Sequence, residues 1–189
     1  MVARIPIEDK ILFHIDILPK ATQQALLYLR SSPILKGTRW YLAGGTALAL
    51  HLGHRKSVDL DFFLSGQSFN EEALLRKLVS TKHWSLTHQE DGTIFGVLLN
   101  AKVSFIAYPF FQPSSKRAKF GNIRMLLPQD IGAMKIVAIS QRGRKRDFLD
   151  LYWYIQKLEP LEDVIFRALR QYPGQEHNLP HILKSLVYF

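Results

Sequence analysis

Two aspartates at alternate positions, Asp59 and Asp61, lie in the run SVDLDFFL from Ser57 to Leu64. Side chains alternate across a strand, so a strand over Ser57 to Leu64 would project both acids from one face and Val58, Leu60 and Phe62 from the other. Two carboxylates placed that way can hold a hard divalent cation such as Mg²⁺, which takes oxygen ligands and completes its shell with water and phosphate oxygens. The same spacing also occurs on exposed strands that bind nothing. Upstream stands Gly44-Gly45-Thr46. A turn without side chains, leading into a helix, lets backbone N–H groups approach a phosphate. No Gly-Lys-Ser/Thr follows these glycines, so the turn is not a Walker motif.

The elements that would position these groups are short and contiguous. Trp40 to Ala43 reads as an apolar strand, Thr46 as the cap of a helix through Ala47, Leu48, Ala49 and Leu50, and Gly53 as its end. Pro19 to Ser31 reads as an amphipathic scaffold helix and Phe69 to Ser80 as a helix with acids first and bases last. Trp84 to Gln89, Ile94 to Leu99 and Lys102 to Tyr108 read as three more strands, separated by Asp91-Gly92 and Asn100-Ala101. Pro113 to Lys119, with Ser114, Ser115, Lys116 and Arg117, reads as a basic loop before a short strand at Ile123 to Leu126. From Pro128 the pattern is helical: Gln129 to Gln141, Lys145 to Leu158, Leu161 to Tyr172 and Pro180 to Val187. The expected fold class is therefore α/β (α+β). A mixed sheet core over residues 1–126 would carry a helical C-terminal part, 127–189, docked on it as one wall of a shared cleft.

Lys135 lies in the first of those helices among Ile131, Met134, Ile136, Val137 and Ala138. Two readings stay open: the ammonium reaches a phosphate as a point charge, or its stem carries it out to solvent. The run Gln141-Arg142-Gly143-Arg144-Lys145-Arg146 follows, and then Asp147 and Asp150, which share a helix face at i, i+3. The basic residues could meet RNA or a triphosphate, or simply be solvated.

The formal net charge of +9 favours a polyanionic partner, although a solvated basic surface accounts for it equally. With no cysteine, disulfides, thiolate metal sites and cysteine nucleophiles are excluded, and any metal must use oxygen or imidazole. The seven histidines show no metal-ligand spacing. The N-terminal stretch is amphiphilic, and no apolar run approaches the roughly 18 residues of a membrane span, which makes a cytoplasmic location the expectation.

GGTALALHLGHRKSVDLDFF, a strand near Lys102 to Tyr108, and DIGAMKIVAISQRGRKRDFLDLYW together resemble the AbiEii-type nucleotidyltransferase toxin family over roughly residues 37 to 156. The resemblance lies in the order Gly-Gly-Thr, Arg-x-Ser-x-Asp-x-Asp, Asp-x-x-x-x-Lys, and a basic residue before Asp-x-x-Asp. It implies a nucleotidyltransferase-like core and Mg²⁺-dependent transfer of a nucleotide from a nucleoside triphosphate to an RNA or protein acceptor, transfer RNA for some relatives, with a cognate antitoxin as partner. By resemblance, Gly44, Gly45, Thr46, Arg55 and Ser57 would bind the nucleotide, and Asp59 and Asp61 the metal. Lys135 would neutralise phosphate charge, and Asp147 or Asp150 would belong to the late acidic motif. One departure stands out. Ser104 occupies the position on a neighbouring strand where this fold commonly carries a third carboxylate, and a serine hydroxyl is a poor base at neutral pH. Weaker binding of one metal, substitution by another acid such as Asp147, or nucleotide binding without transfer would follow from that.

Overall fold

The computed structural model describes residues 12–114, 116–173 and 179–188. Ser115 and most of the amphiphilic N-terminal stretch lie outside them. Among the described residues a seven-stranded mixed sheet carries seven α-helices, and no helix is long and apolar enough to cross a membrane.

Helix α1 (Lys20–Ser31) precedes β1 (Tyr41–Ala43), α2 (Gly44–Leu52) and β2 (Leu60–Leu64). Then come α3 (Glu71–Ser80), β3 (Trp84–Glu90), β4 (Thr93–Leu98), β5 (Ala101–Ala107), β6 (Ala118–Phe120) and β7 (Ile123–Met125). Four helices close the chain: α4 (Pro128–Arg142), α5 (Lys145–Lys157), α6 (Leu161–Gln171) and α7 (Leu179–Leu186). The sheet order is β3-β4-β5-β2-β1-β7-β6, with β2 parallel to β5, β1 parallel to β7, and the other neighbours antiparallel.

One face of the central strands is closed. Leu42, Phe62, Phe105 and Ile94 lie side by side across β1, β2, β5 and β4, each with no exposed surface, and join α1 and α3 through Leu26, Leu29, Leu74 and Leu78. Burial of these side chains contributes roughly 1.5–3 kcal/mol each, which fixes the strand register, since a slip by one residue would turn Asp61 into the core. The other face is partly covered by α4, which packs on α2, α5, α6 and α7 and buries Ile131, Ile136, Val137 and Ile139.

Local differences from the sequence reading have identifiable causes. β2 begins at Leu60 rather than Ser57 because side-chain hydroxyls take the preceding carbonyls: Thr22 Oγ1 donates to the Val58 carbonyl at 2.9 Å, and Thr46 Oγ1 donates to that of Asp59. Val58 is consequently half-exposed instead of joining Leu60 and Phe62 inside. Thr46 is not a cap either. Helix α2 starts at Gly44 with extended Ala43 at its N-cap and no capping side chain, while Thr46 sits within the first turn, bonded to Ser57 Oγ at 2.8 Å. The left-handed Gly53 ends α2 as the sequence suggests. β6 lies inside the basic stretch and pairs with β7 around left-handed Gly121; its lysine hid the pattern.

Candidate active site

A cleft of about 540 Å³ opens between the sheet and α4–α5, lined by Gly44, Gly45, Thr46, Arg55, Ser57, Asp59, Asp61, Lys135 and Asp147 among others. Nine of the ten residues singled out from the sequence therefore come together; Asp150 lies directly behind them, bonded to three side chains from both walls.

The β1–α2 turn explains why glycines stand there. Gly44 has φ +72°, a left-handed conformation that disfavours any residue with a Cβ, and a Cβ there would lie 3.3 Å from Asp61 Oδ2. At Gly45 the limit is side-chain crowding. A Cβ would run into the Arg55 guanidinium and come within 3.2 Å of Asp150 Oδ2. Arg55 cannot simply swing away, because its Nε and Nη2 donate to the two oxygens of Asp150 at 2.6 and 2.9 Å. Gly45→Ala is expected to cost about 1–3 kcal/mol through this overpacking, read as a lower urea midpoint at unchanged slope.

Asp61 sits on the floor, in register with Ala43 of β1 and Ser104 of β5. Ser104 Oγ donates to Asp61 Oδ1 at 2.7 Å, so the residue standing in for a third carboxylate is a hydrogen-bond donor to the second. Burial pushes the Asp61 carboxyl above its ordinary value; the Ser104 hydrogen bond opposes this, the Asp59 charge adds to it, and the Lys135 and Arg146 charges oppose it. Among the described residues no cation comes within ion-pair distance of Asp61. Asp59, at the entry to β2, is one-third exposed and lies 3.8 Å from Arg146 Nη1. No group of three or more His, Asp or Glu side chains able to hold a metal occurs among the described residues, so Asp59 and Asp61 stand as a pair.

Behind the floor lies a buried ionic cluster. Lys135 Nζ is 2.7 Å from both Asp147 Oδ1 and Asp150 Oδ2, and both aspartates are wholly buried. The stem of Lys135 therefore does not carry its ammonium out to solvent. Its charge is taken up by two carboxylates, although it still lines the cleft. Arg142 donates to both oxygens of Asp147 at 2.9 and 3.1 Å, and His54 Nε2 lies 2.8 Å from Asp150 Oδ1. Burial would raise both carboxyls; instead Arg142 and Lys135 lower Asp147, and His54, Arg55 and Lys135 hold Asp150 well below the usual carboxylate range. A carboxylate held anionic by two cations is a weak proton acceptor, and Asp147 is engaged by Lys135 and Arg142 rather than grouped with Asp59 and Asp61.

The Asp of Asp-x-x-x-x-Lys, Asp130, is also structural: buried, it accepts from the Ser114 backbone N–H at 3.1 Å, Ser114 Oγ at 2.8 Å and Gln171 Nε2 at 2.7 Å. It anchors the start of the basic loop to α4 and α6, and Lys116 and Arg117 do not line the cleft. Several cleft residues escaped the sequence reading: Phe63, Phe95, Ile106, Tyr108 and Met134 on its walls, and His54 behind it. Phe63 had a signal, since it continues the alternation of Asp59 and Asp61; His54 had none.

The family described as "Nucleotidyl transferase AbiEii toxin, Type IV TA system" matches the chain over residues 26–112 and 101–187. A protein of Aquifex aeolicus (strain VF5), described as "Uncharacterized protein aq_aa25", is 36% identical over 157 residues, 79% of this chain and 73% of that one. Among solved structures, the antibiotic-resistance factor ANT(2'')-Ia superposes with a TM-score of 0.56 at 14% identity, covering 78% of this chain and 90% of its own. JHP933 from Helicobacter pylori gives 0.50 at 18%, covering 75% and 68%. At such identities these two report the fold alone. Since the family match extends over most of the sequence, the chain belongs to the AbiEii family of nucleotidyl transferase toxins, and family and fold together support a nucleotidyl-transfer function.

Proposed function

We propose that the protein transfers a nucleotide from a nucleoside triphosphate to a hydroxyl of an RNA acceptor, with Mg²⁺ held by Asp59 and Asp61. The observation that carries this reading is the meeting, in one cleft, of an uncapped helix N-terminus with a carboxylate pair whose half-buried member, Asp61, has no cation within ion-pair distance among the described residues. The donor set suits a hard cation: two carboxylates are enough when phosphate and water complete the shell, and half-buried Asp61 would gain a direct countercharge. When bound, the metal supplies charge neutralisation and polarises phosphoryl oxygens.

The chain's own residues do the rest by positioning. The first-turn N–H groups of α2 receive the terminal phosphates, and Gly44 lets them approach. The ionic cluster sets three cations, half-buried Arg55, buried Lys135 and exposed Arg142, against two buried carboxylates, leaving positive charge behind the triphosphate. Arg144 and Arg146 at the rim meet the acceptor's backbone. The acceptor oxygen forms a bond to the α-phosphorus as the bond to the β-phosphate oxygen breaks; pyrophosphate leaves and the hydroxyl proton passes to solvent. The family's description extends the proposal to a toxin role with a cognate antitoxin partner.

Ser104 beside Asp61 favours one alternative, a protein of this fold that binds nucleotide without transferring it. Incubation with each of four α-labelled nucleoside triphosphates, Mg²⁺ and total RNA separates the two. Labelled RNA with released pyrophosphate is expected. Nucleotide binding without label transfer under any of the four would support the alternative.

A further inference from the structure

We infer that the apolar end of the cleft is the nucleobase subsite, with Phe63 as its stacking platform, and that it accepts purines and pyrimidines with little discrimination. The inference rests on the nucleotidyl-transfer reading of the same cleft.

The sheet register sets out two adjacent rows on the cleft face. Ala43, Asp61, Ser104 and Phe95 form one across β1, β2, β5 and β4; Tyr41, Phe63, Ile106 and Thr93 form the next. Side chains two residues apart share a face, so the rows stand about 7 Å apart along the strands. The first contains the Asp61 carboxylate; the second is apolar at β2 and β5. On the opposite face Leu42, Phe62 and Phe105 are sealed, whereas Phe63, Ile106 and Tyr108 keep part of their surface open, as do Met134 and Ala138 of α4. An aromatic and aliphatic wall thus remains unfilled inside the cleft.

The charges are confined elsewhere. Arg55, Lys135, Arg142 and Arg146 are bound by ion pairs to Asp150, Asp147 and Asp59, and through Arg55 and Asp150 they pack against Gly45. With phosphates at the start of α2 and beside Asp59 and Asp61, the base lies one row further on, at Phe63. The Phe63 ring is held there by Tyr108, edge-on at 5.7 Å, and by Tyr41, near-parallel at 6.3 Å. A ring fixed on a strand loses little freedom when a base stacks on it. The Tyr108 hydroxyl is directed at the buried Tyr172 hydroxyl 3.5 Å away, so the contact the Phe63 wall offers a base is stacking, which every base supports.

Calorimetric titration of the full chain with Mg²⁺-ATP, Mg²⁺-CTP and inorganic tripolyphosphate tests this, on the wild type and on Phe63→Leu and Phe63→Tyr. Leucine keeps apolar packing against Tyr41 and Tyr108 but removes the ring; tyrosine keeps the ring. Phe63→Leu is expected to weaken both nucleotides about 5- to 150-fold, leave tripolyphosphate binding unchanged, and be rescued by Phe63→Tyr. Unchanged nucleotide affinity in Phe63→Leu, equal loss for tripolyphosphate, or wild-type affinities for ATP and CTP more than about 100-fold apart would each overturn the subsite while leaving the transfer reading intact. A wild type that binds neither nucleotide nor tripolyphosphate overturns the transfer reading itself.

Discussion

Asp61→Asn is expected to lose nucleotide transfer by about 10³-fold or more while making the metal-free protein more stable at neutral pH. The loss follows from removing one of two carboxylates on which charge neutralisation of the triphosphate would depend, a contribution of several kcal/mol at about 1.4 kcal/mol per decade of rate. The gain follows from burial. Burial and the Asp59 charge together raise the folded-state value of Asp61 above its ordinary 3.8, against the Ser104 hydrogen bond and the Lys135 and Arg146 charges. A raised value means that the folded protein binds the proton more tightly than the unfolded chain. Stability is therefore highest below 3.8, falls as pH rises through the folded value, and carries the full penalty above it. Asparagine keeps the shape, accepts from Ser104 Oγ as the carboxylate does, and escapes the penalty. Thermal unfolding without divalent ions at pH 7 should give a higher Tm for the variant, with the difference closing toward acid. Millimolar Mg²⁺ should raise the Tm of the wild type more than that of Asp61→Asn. A variant less stable than wild type at pH 7 without metal would refute the assignment of Asp61 as a carboxylate whose desolvation outweighs the Ser104 hydrogen bond and the Lys135 and Arg146 charges.

The legibility of this site in the sequence follows the range of the interactions. Strand, glycine turn, helix and strand between Tyr41 and Leu64 depend on local periodicity and on left-handed Gly44 and Gly53, so one-dimensional reading recovers them. The shared face of Asp147 and Asp150 is also local, a matter of helical spacing, and both indeed converge on Lys135. What they converge with is not local. Arg55 is 95 residues from Asp150 in sequence, and nothing near either position announces the other. Gly45 shows the consequence: on local grounds it is a backbone approach to phosphate, and in three dimensions it also makes room for an ion pair between distant segments. The shortened β2 has the same origin, since Thr22 and Thr46 reach the Val58 and Asp59 carbonyls from two other helices. Ser104 is the instructive case in the other direction. Its place on β5 is readable from alternation, and the register sets it beside Asp61, but its hydrogen bond changes its meaning from a gap to a donor that orients the Asp61 carboxylate.

Asp150→Ala is expected to cost about 3–5 kcal/mol of stability, or roughly 6–20 °C in Tm for a chain of this size. Asp150 joins both walls of the cleft: Lys135 from α4 lies 2.7 Å away, and Arg55 and His54 from the segment after α2 lie 2.6 and 2.8 Å away. Truncation leaves an ammonium, a guanidinium and an imidazole facing a cavity, with Asp147 as the cluster's remaining carboxylate, already shared by Lys135 and Arg142. The cost is that of orphaned buried charge, larger than the net worth of the intact pair. Acid exposes the same dependence. Burial opposes ionisation of Asp150, but His54, Arg55 and Lys135 outweigh it and hold its folded value far below 3.8. A depressed value makes the stabilisation fully present above 3.8 and progressively lost as pH falls from there toward the folded value. Urea midpoints across pH 2 to 7 should therefore show a wild type whose advantage over Asp150→Ala is constant near neutrality and shrinks in acid. A cost below about 1 kcal/mol at pH 7 would mean that water enters and solvates the cluster.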